Sequence, residues 1–166
     1  MGSEMETAFR EFLLDPDYWK PRLKDLSKAP RELAMFPRPD LARSTLDVTE
    51  LGMLAHDGSR LRGLLVRPAR RVRGEDIDLV ASEFLGADAV PWKRAEGGVC
   101  VLVYELGKGR RLEDRVLDLL RFASTACALE TARSHSLRFH NPQGAAPADE
   151  ARIVERIRDR GWMEML

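Results

Sequence analysis

Gly98-Val99-Cys100-Val101-Leu102-Val103-Tyr104-Glu105-Leu106-Gly107 is an apolar run rich in β-branched residues. It suits a strand buried on both faces, because a strand with one wet face would alternate with polar residues. A helical pattern follows at once. Leu112, Val116, Leu119, Leu120, Ala123, Ala126 and Cys127 recur at three- and four-residue spacing, with Asp114, Arg115, Asp118 and Arg121 off that stripe. A buried strand and its covering helix therefore form the centre of the core.

Upstream, residues 46–55 and 60–68 read as two strands joined by His56-Asp57-Gly58-Ser59, where Asp-Gly supplies the positive φ of a tight hairpin. Residues 75–85 place Ile77, Val80, Ala81, Phe84 and Leu85 on one side of a helix that Gly86 ends. Residues 89–95 alternate as a strand that hairpins through Glu96-Gly97-Gly98 into the buried run, and Pro91 marks that strand as an edge. Downstream, residues 136–140 alternate as a short strand with Leu137 and Phe139 inward. A final helix over 147–160 buries Ile153, Val154 and Ile157.

From residue 60 to 140 this order is strand, helix, strand, strand, helix, strand. It predicts an α+β fold, an antiparallel sheet with helices packed on one face around a ferredoxin-like βαββαβ core. If residues 46–55 compete for the edge that the last strand would take, the alternative is two ββα units side by side. Extra helices are expected at both ends: a helical, Pro-rich wrapping segment over 1–45, the core over 46–141 and a terminal helix over 142–166, all one globular domain. Ser3 and Glu6 suit a capping box before Met5, Phe9, Phe12 and Leu13. Five of the nine prolines fall between Pro16 and Pro39, interleaved with Tyr18, Trp19, Leu33, Met35 and Phe36, as expected of an ordered wrap.

The 166 residues carry 27 Lys plus Arg against 27 Asp plus Glu, so no global field draws the chain to nucleic acid or to an acidic membrane. Cys100 and Cys127 sit among apolar neighbours and read as core residues of a reducing compartment. No Cys/His cluster suggests a metal, no loop suggests a cofactor, and no run is long enough to span a membrane. The opening residues lack a targeting pattern, and a cytoplasmic location is expected.

Three constellations have chemical interest. Gly107-Lys108-Gly109-Arg110-Arg111, between the buried strand and its helix, offers Lys108, Arg110 and Arg111 to an anion, without Walker spacing. Arg60, Arg62, Arg67, Arg70, Arg71 and Arg73 crowd a stretch without acids, and Arg70 and Arg71 would lead any phosphate binding there. His56, His135 and His140 have no recognisable nucleophile beside them in sequence.

Asp17-Tyr18-Trp19-Lys20, a proline-broken connection and then residues 56–68, His-Asp-Gly-Ser-Arg-Leu-Arg-Gly-Leu-Leu-Val-Arg-Pro, resemble the opening region of acetyl xylan esterase-type α/β-hydrolases. The resemblance covers roughly a third of the chain and implies a Gly-x-Ser-x-Gly nucleophile elbow. The chain contains none, and Tyr104-Glu105-Leu106-Gly107 stands where the oxyanion-side His-Gly would be; an ancestral hydrolase would here have lost hydrolysis. The resemblance does not set the fold read above.

A well-specified core without nucleophile, metal site or cofactor loop predicts a non-enzymatic protein-binding module, such as an immunity protein or a regulatory adaptor. Its partner would be another protein or a second copy of itself, with nucleic acid disfavoured and no membrane. The expected contact surface is the edge at 89–95, with Trp92 as anchor beside Lys93 and Arg94. The alternatives are anion or nucleic-acid binding through residues 60–73 and 107–111, and a degenerate hydrolase-like protein without catalytic activity.

Overall fold

The computed structural model describes residues 12–43, 45–69, 76–140 and 149–166. The capping box at Ser3, and Arg70, Arg71 and Arg73, lie outside the described residues. Helix α1 spans Pro16–Lys28; the Asp15 carboxylate caps it by accepting from the Asp17 N–H at 3.0 Å, and Pro16 opens its first turn. The helix buries Trp19, Leu23 and Leu26, and the Trp19 indole donates to the Leu13 carbonyl at 2.7 Å.

The chain then forms β1 (Ala34–Pro37), β2 (Leu46–Leu54), β3 (Arg60–Pro68) and β4 (Ile77–Ser82), a short helix α2 (Trp92–Glu96), β5 (Cys100–Glu105), helix α3 (Leu112–Glu130), β6 (Leu137–His140) and helix α4 (Asp149–Asp159). The six strands make one sheet in the order β1-β2-β3-β5-β4-β6. Its first half is antiparallel, with Val48 opposite Val66 and Leu65 opposite Leu102. Its second half is parallel, with Leu79 beside Leu102 on one side and beside Phe139 on the other.

Alternation along the strands divides the core between two faces. One face presents Leu51, Leu65, Leu79, Leu102 and Leu137 to α1, α3 and α4, which contribute Trp19, Leu23, Val116, Phe122, Ile153 and Val154. The other presents Leu46, Val48, Leu64, Val66, Val80, Val101 and Val103, covered in part by Val90, Ala95 and Trp92. Burying each such aliphatic side chain stabilises by about 1.5–3 kcal/mol. Gly63 lets the layers meet: a Cβ there would come 3.1 Å from the Val103 carbonyl oxygen and 3.2 Å from the Phe122 ring.

The fold is thus a mixed α/β sheet with helical cover on both faces, which corrects the expected antiparallel, ferredoxin-like α+β arrangement and the two-ββα-unit alternative. Two elements caused the error. Residues 77–82, expected as part of a helix, are a strand; all six are buried because β4 lies between β5 and β6 with both faces covered. Phe84, whose place in the helical pattern suggested that helix, is 58% exposed. Residues 89–95, expected as an edge strand, lead into α2, with Pro91 at its N-cap. No hairpin joins 89–95 to β5; Gly98, at φ +100°, turns the chain from α2 into the strand.

Other readings hold. The β2–β3 hairpin forms around Gly58 at φ +84°, and β5 is an interior strand leading to α3. The conflict over the edge is resolved by β1, which borders β2, while β6 pairs with β4 at the far side.

Candidate functional site

On the face that carries α2, Asp78 stands on β4 with none of its surface exposed. Asp78 and His140 point to the same face because parallel β4 and β6 pair Asp78 with Arg138 and Val80 with His140. Asp78 Oδ1 and His140 Nε2 lie 3.1 Å apart and are both shielded from solvent, yet their alignment makes no hydrogen bond, and neither atom has a hydrogen-bond partner among the described residues. Asp78 Oδ2 accepts from Arg94 Nε, which reaches in from α2. The buried carboxylate is thus balanced through Oδ2 by Arg94, as burial of a charge requires, while Oδ1 has only the close approach of His140. The Asp78 ion pair raises the pKa of Arg94, with desolvation opposing it.

A second polar cluster joins the β2–β3 turn to the start of α3. Arg110 grips Asp118 through two contacts, Nε to Oδ2 at 3.0 Å and Nη2 to Oδ1 at 2.8 Å, and reaches Asp57 with Nη1 at 2.5 Å. The guanidinium holds the Asp57 carboxyl well below the usual carboxylate range, whereas burial pushes that of Asp118 up against the opposing pull of Arg110. His56 Nε2 lies 2.9 Å from Asp114 Oδ1. His56, Asp57 and Asp114 each bring one ligand-type atom within 4.8 Å of the others. Arg110 on Asp57 and Arg111, 3.5 Å from Asp114, already answer that negative charge.

The residues singled out from sequence scatter. Arg110 spends its guanidinium on Asp118 and Asp57, while Lys108 and Arg111 are exposed at the loop and start of α3. Trp92 is half-buried; its indole donates to the Ala87 carbonyl at 2.9 Å and stacks under Arg43, 4.1 Å away. Lys93 is exposed, and Arg94 turns inward to Asp78. Arg62 faces Glu50 and Glu105, and Arg67 contacts Glu130 at 2.5 Å. The Asp78 and His140 pairing was missed. Its one sequence signal is the lone acid inside Ile77-Asp78-Leu79-Val80-Ala81, an apolar run in which a carboxylate needs a buried partner.

No family model matches the sequence, and no curated protein matches it. The fold matches solved esterases. An acetyl xylan esterase from a Paenibacillus species superposes with a TM-score of 0.60 at 14% identity, over 76% of this chain and 50% of its own. Acetyl xylan esterase 1 from a Thermoanaerobacterium species gives 0.59 at 12%, over 77% and 50%. The esterase Est22 gives 0.51 at 12%, over 95% of this chain and 53% of its own. The chain thus has an α/β-hydrolase-like fold and spans about half the length of the structures it resembles.

These likenesses overturn the expected non-enzymatic protein-binding module, and with it the immunity-protein and adaptor readings; the hydrolase-like alternative is the one they back. In folds of this class a Gly-x-Ser-x-Gly turn joins a strand to a helix and exposes the nucleophile. Between β6 and α4 the sequence over 140–144 reads His-Asn-Pro-Gln-Gly, which is not a Gly-x-Ser-x-Gly pattern. Residues 141–148 lie outside the described residues, and their sequence contains no Ser, Thr or Cys. Among the described residues, no helix is long and apolar enough to cross a membrane.

Proposed function

We propose that this chain is a divergent ester hydrolase unit of the α/β-hydrolase type, whose chemistry does not pass through an elbow serine. The supporting observation is the mixed sheet, β1-β2-β3-β5-β4-β6, which superposes on esterases while the sequence holds no Gly-x-Ser-x-Gly elbow. Small acyl esters are the substrate class. Two of the similar structures are acetyl xylan esterases by name, so acetylated xylo-oligosaccharides are the first carbohydrate substrates to try.

The test is turnover of p-nitrophenyl acetate by the purified chain, together with exposure to a fluorophosphonate probe that labels activated serines. The expected result is hydrolysis above the buffer rate with no labelling. Absence of turnover on both acetyl substrates would overturn the hydrolase reading. Covalent labelling of a serine would overturn the serine-independent route.

A further inference from the structure

We infer that the outer edge of β1 pairs with the same edge of a second copy of this chain, antiparallel across a two-fold axis at Met35, so that two sheets join into one. The inference stands apart from the hydrolase reading and does not depend on it.

The register of β1 on β2 fixes which main-chain groups are free. The Arg38 N–H donates to the Val48 carbonyl at 2.8 Å, and the pairing runs back through Phe36 opposite Glu50 to Ala34 opposite Gly52. Hydrogen-bonded pairs alternate along an antiparallel ladder, so Phe36 and Ala34 turn their N–H and C=O groups to β2, while Met35 and Pro37 turn theirs away. Among the described residues β1 borders no strand but β2. Met35 therefore offers one donor and one acceptor outward, and Pro37 one acceptor. Pro37 has no N–H to give, which a strand tolerates only where that position faces out of the sheet.

The side chains point the same way. Leu33, Met35 and Phe36 are 36%, 39% and 54% exposed, and they make up half of the exposed large hydrophobic side chains among the described residues within four consecutive positions. Lone edges are ordinarily guarded by charged side chains, and the stretch from Leu33 to Pro37 carries none.

Self-complementarity names the occupant. With Met35 on the axis, each Met35 N–H donates to the Met35 carbonyl of the second copy, and each Pro37 carbonyl accepts from the Leu33 N–H of the second copy. Ala34 then stands opposite Phe36 of the second copy in a non-hydrogen-bonded pair, with Cβ atoms about 4.5 Å apart, and its small side chain leaves room for the ring. Glu32, exposed and without an ion pair among the described residues, comes opposite Arg38 of the second copy, whose guanidinium also holds Asp40 and Glu50. The contact uses the same patch twice and so closes at two copies, leaving no β1 edge for a third. Four residues of strand make a small interface, so the dimer is weak and depends on concentration.

The test is sedimentation velocity of the purified chain from low to high micromolar concentration. The expected result is a monomer that gives way to a dimer and to nothing larger. Met35→Pro removes the outward donor without touching a bond to β2, and Phe36→Lys puts a charge on the edge; each is expected to weaken dimerisation by about tenfold or more. Phe84→Lys, at another exposed aromatic away from β1, is expected to leave it unchanged. Thermal melts establish which variants fold, and Phe36→Lys, altering an exposed side chain, carries the test if Met35→Pro does not fold. A monomer at every concentration, growth beyond two copies, a dimer that persists in the folded edge variants, or an equal loss in Phe84→Lys would each overturn the inference.

Discussion

The Arg121 guanidinium donates to the Leu54 carbonyl at 2.7 Å and so ties the middle of α3 to the end of β2. The same group donates to the carbonyls of Leu26 at 2.9 Å, Ala29 at 3.1 Å and Pro30 at 2.8 Å, at and just beyond the end of α1. Arg121 is 2% exposed, and burial lowers its pKa. The ends of a helix and a strand, which leave carbonyls without ladder partners, here replace the water that a buried cation has lost. Arg121→Met should therefore cost about 3–5 kcal/mol, because four carbonyls lose the guanidinium and only that of Leu26 keeps a backbone donor, the Ala29 N–H. Urea denaturation measures this; a loss below about 1 kcal/mol would show that water takes over the clamp.

Gly63 gives a steric prediction. A methyl group there meets the Val103 carbonyl oxygen at 3.1 Å and Phe122 at 3.2 Å, so Gly63→Ala pushes β3 from β5 or tilts the Phe122 ring. The expected penalty is about 1–3 kcal/mol, growing with Gly63→Val. Thermal melts of both variants decide it, and equal melting temperatures for wild type and Gly63→Val would refute the close packing.

Cys127 predicts the alkaline limb of stability. Burial, with a smaller contribution from Glu164, raises its thiol from 9.0 to about 11. Between those values the unfolded chain has released the proton and the folded chain still holds it. The contribution is therefore present below the unfolded value and is lost as pH rises through about 11. Cys127→Ala should flatten this part of the stability profile relative to wild type. Iodoacetamide should alkylate native Cys127 slowly at neutral pH, when little thiolate is present. Rapid alkylation of the native protein at that pH would contradict the shift.

Arg110 should matter most at neutral pH. Arg110→Gln leaves Asp118 buried opposite a neutral amide and releases Asp57, with an expected loss of about 2–4 kcal/mol. The deficit should shrink in acid. Asp118, already raised by burial, then takes up a proton and no longer needs a cation. Denaturation of the variant and wild type at neutral and acidic pH measures the difference, and a deficit that grows in acid would reject the account.

Local chemistry made part of this fold legible. Asp57-Gly58 located the hairpin, the β-branched run located β5, and the apolar stripe after Gly107 located α3. The misread elements are those that tertiary context decides. Six residues of β4 carry too short a pattern to separate strand from helix, and Val90 and Trp92 alternate like a strand while Pro91 starts a helix. Once those two were exchanged, a crossover sheet became a string of hairpins. The candidate site failed for a related reason: Asp78 and His140 are far apart in sequence, and only parallel pairing of β4 with β6 makes them neighbours.

The placement of β4 also constrains how the molecule is made. Ile77 leaves the ribosome 23 residues before its neighbour Cys100 and 60 before its other neighbour Leu137. During synthesis the β2–β3 hairpin can close on itself, yet β4 must wait with both edges bare until distant strands arrive. The nascent chain is thus exposed to aggregation at this interior strand, and the capture of β6, which brings His140 to Asp78, is the last pairing of the sheet that synthesis permits.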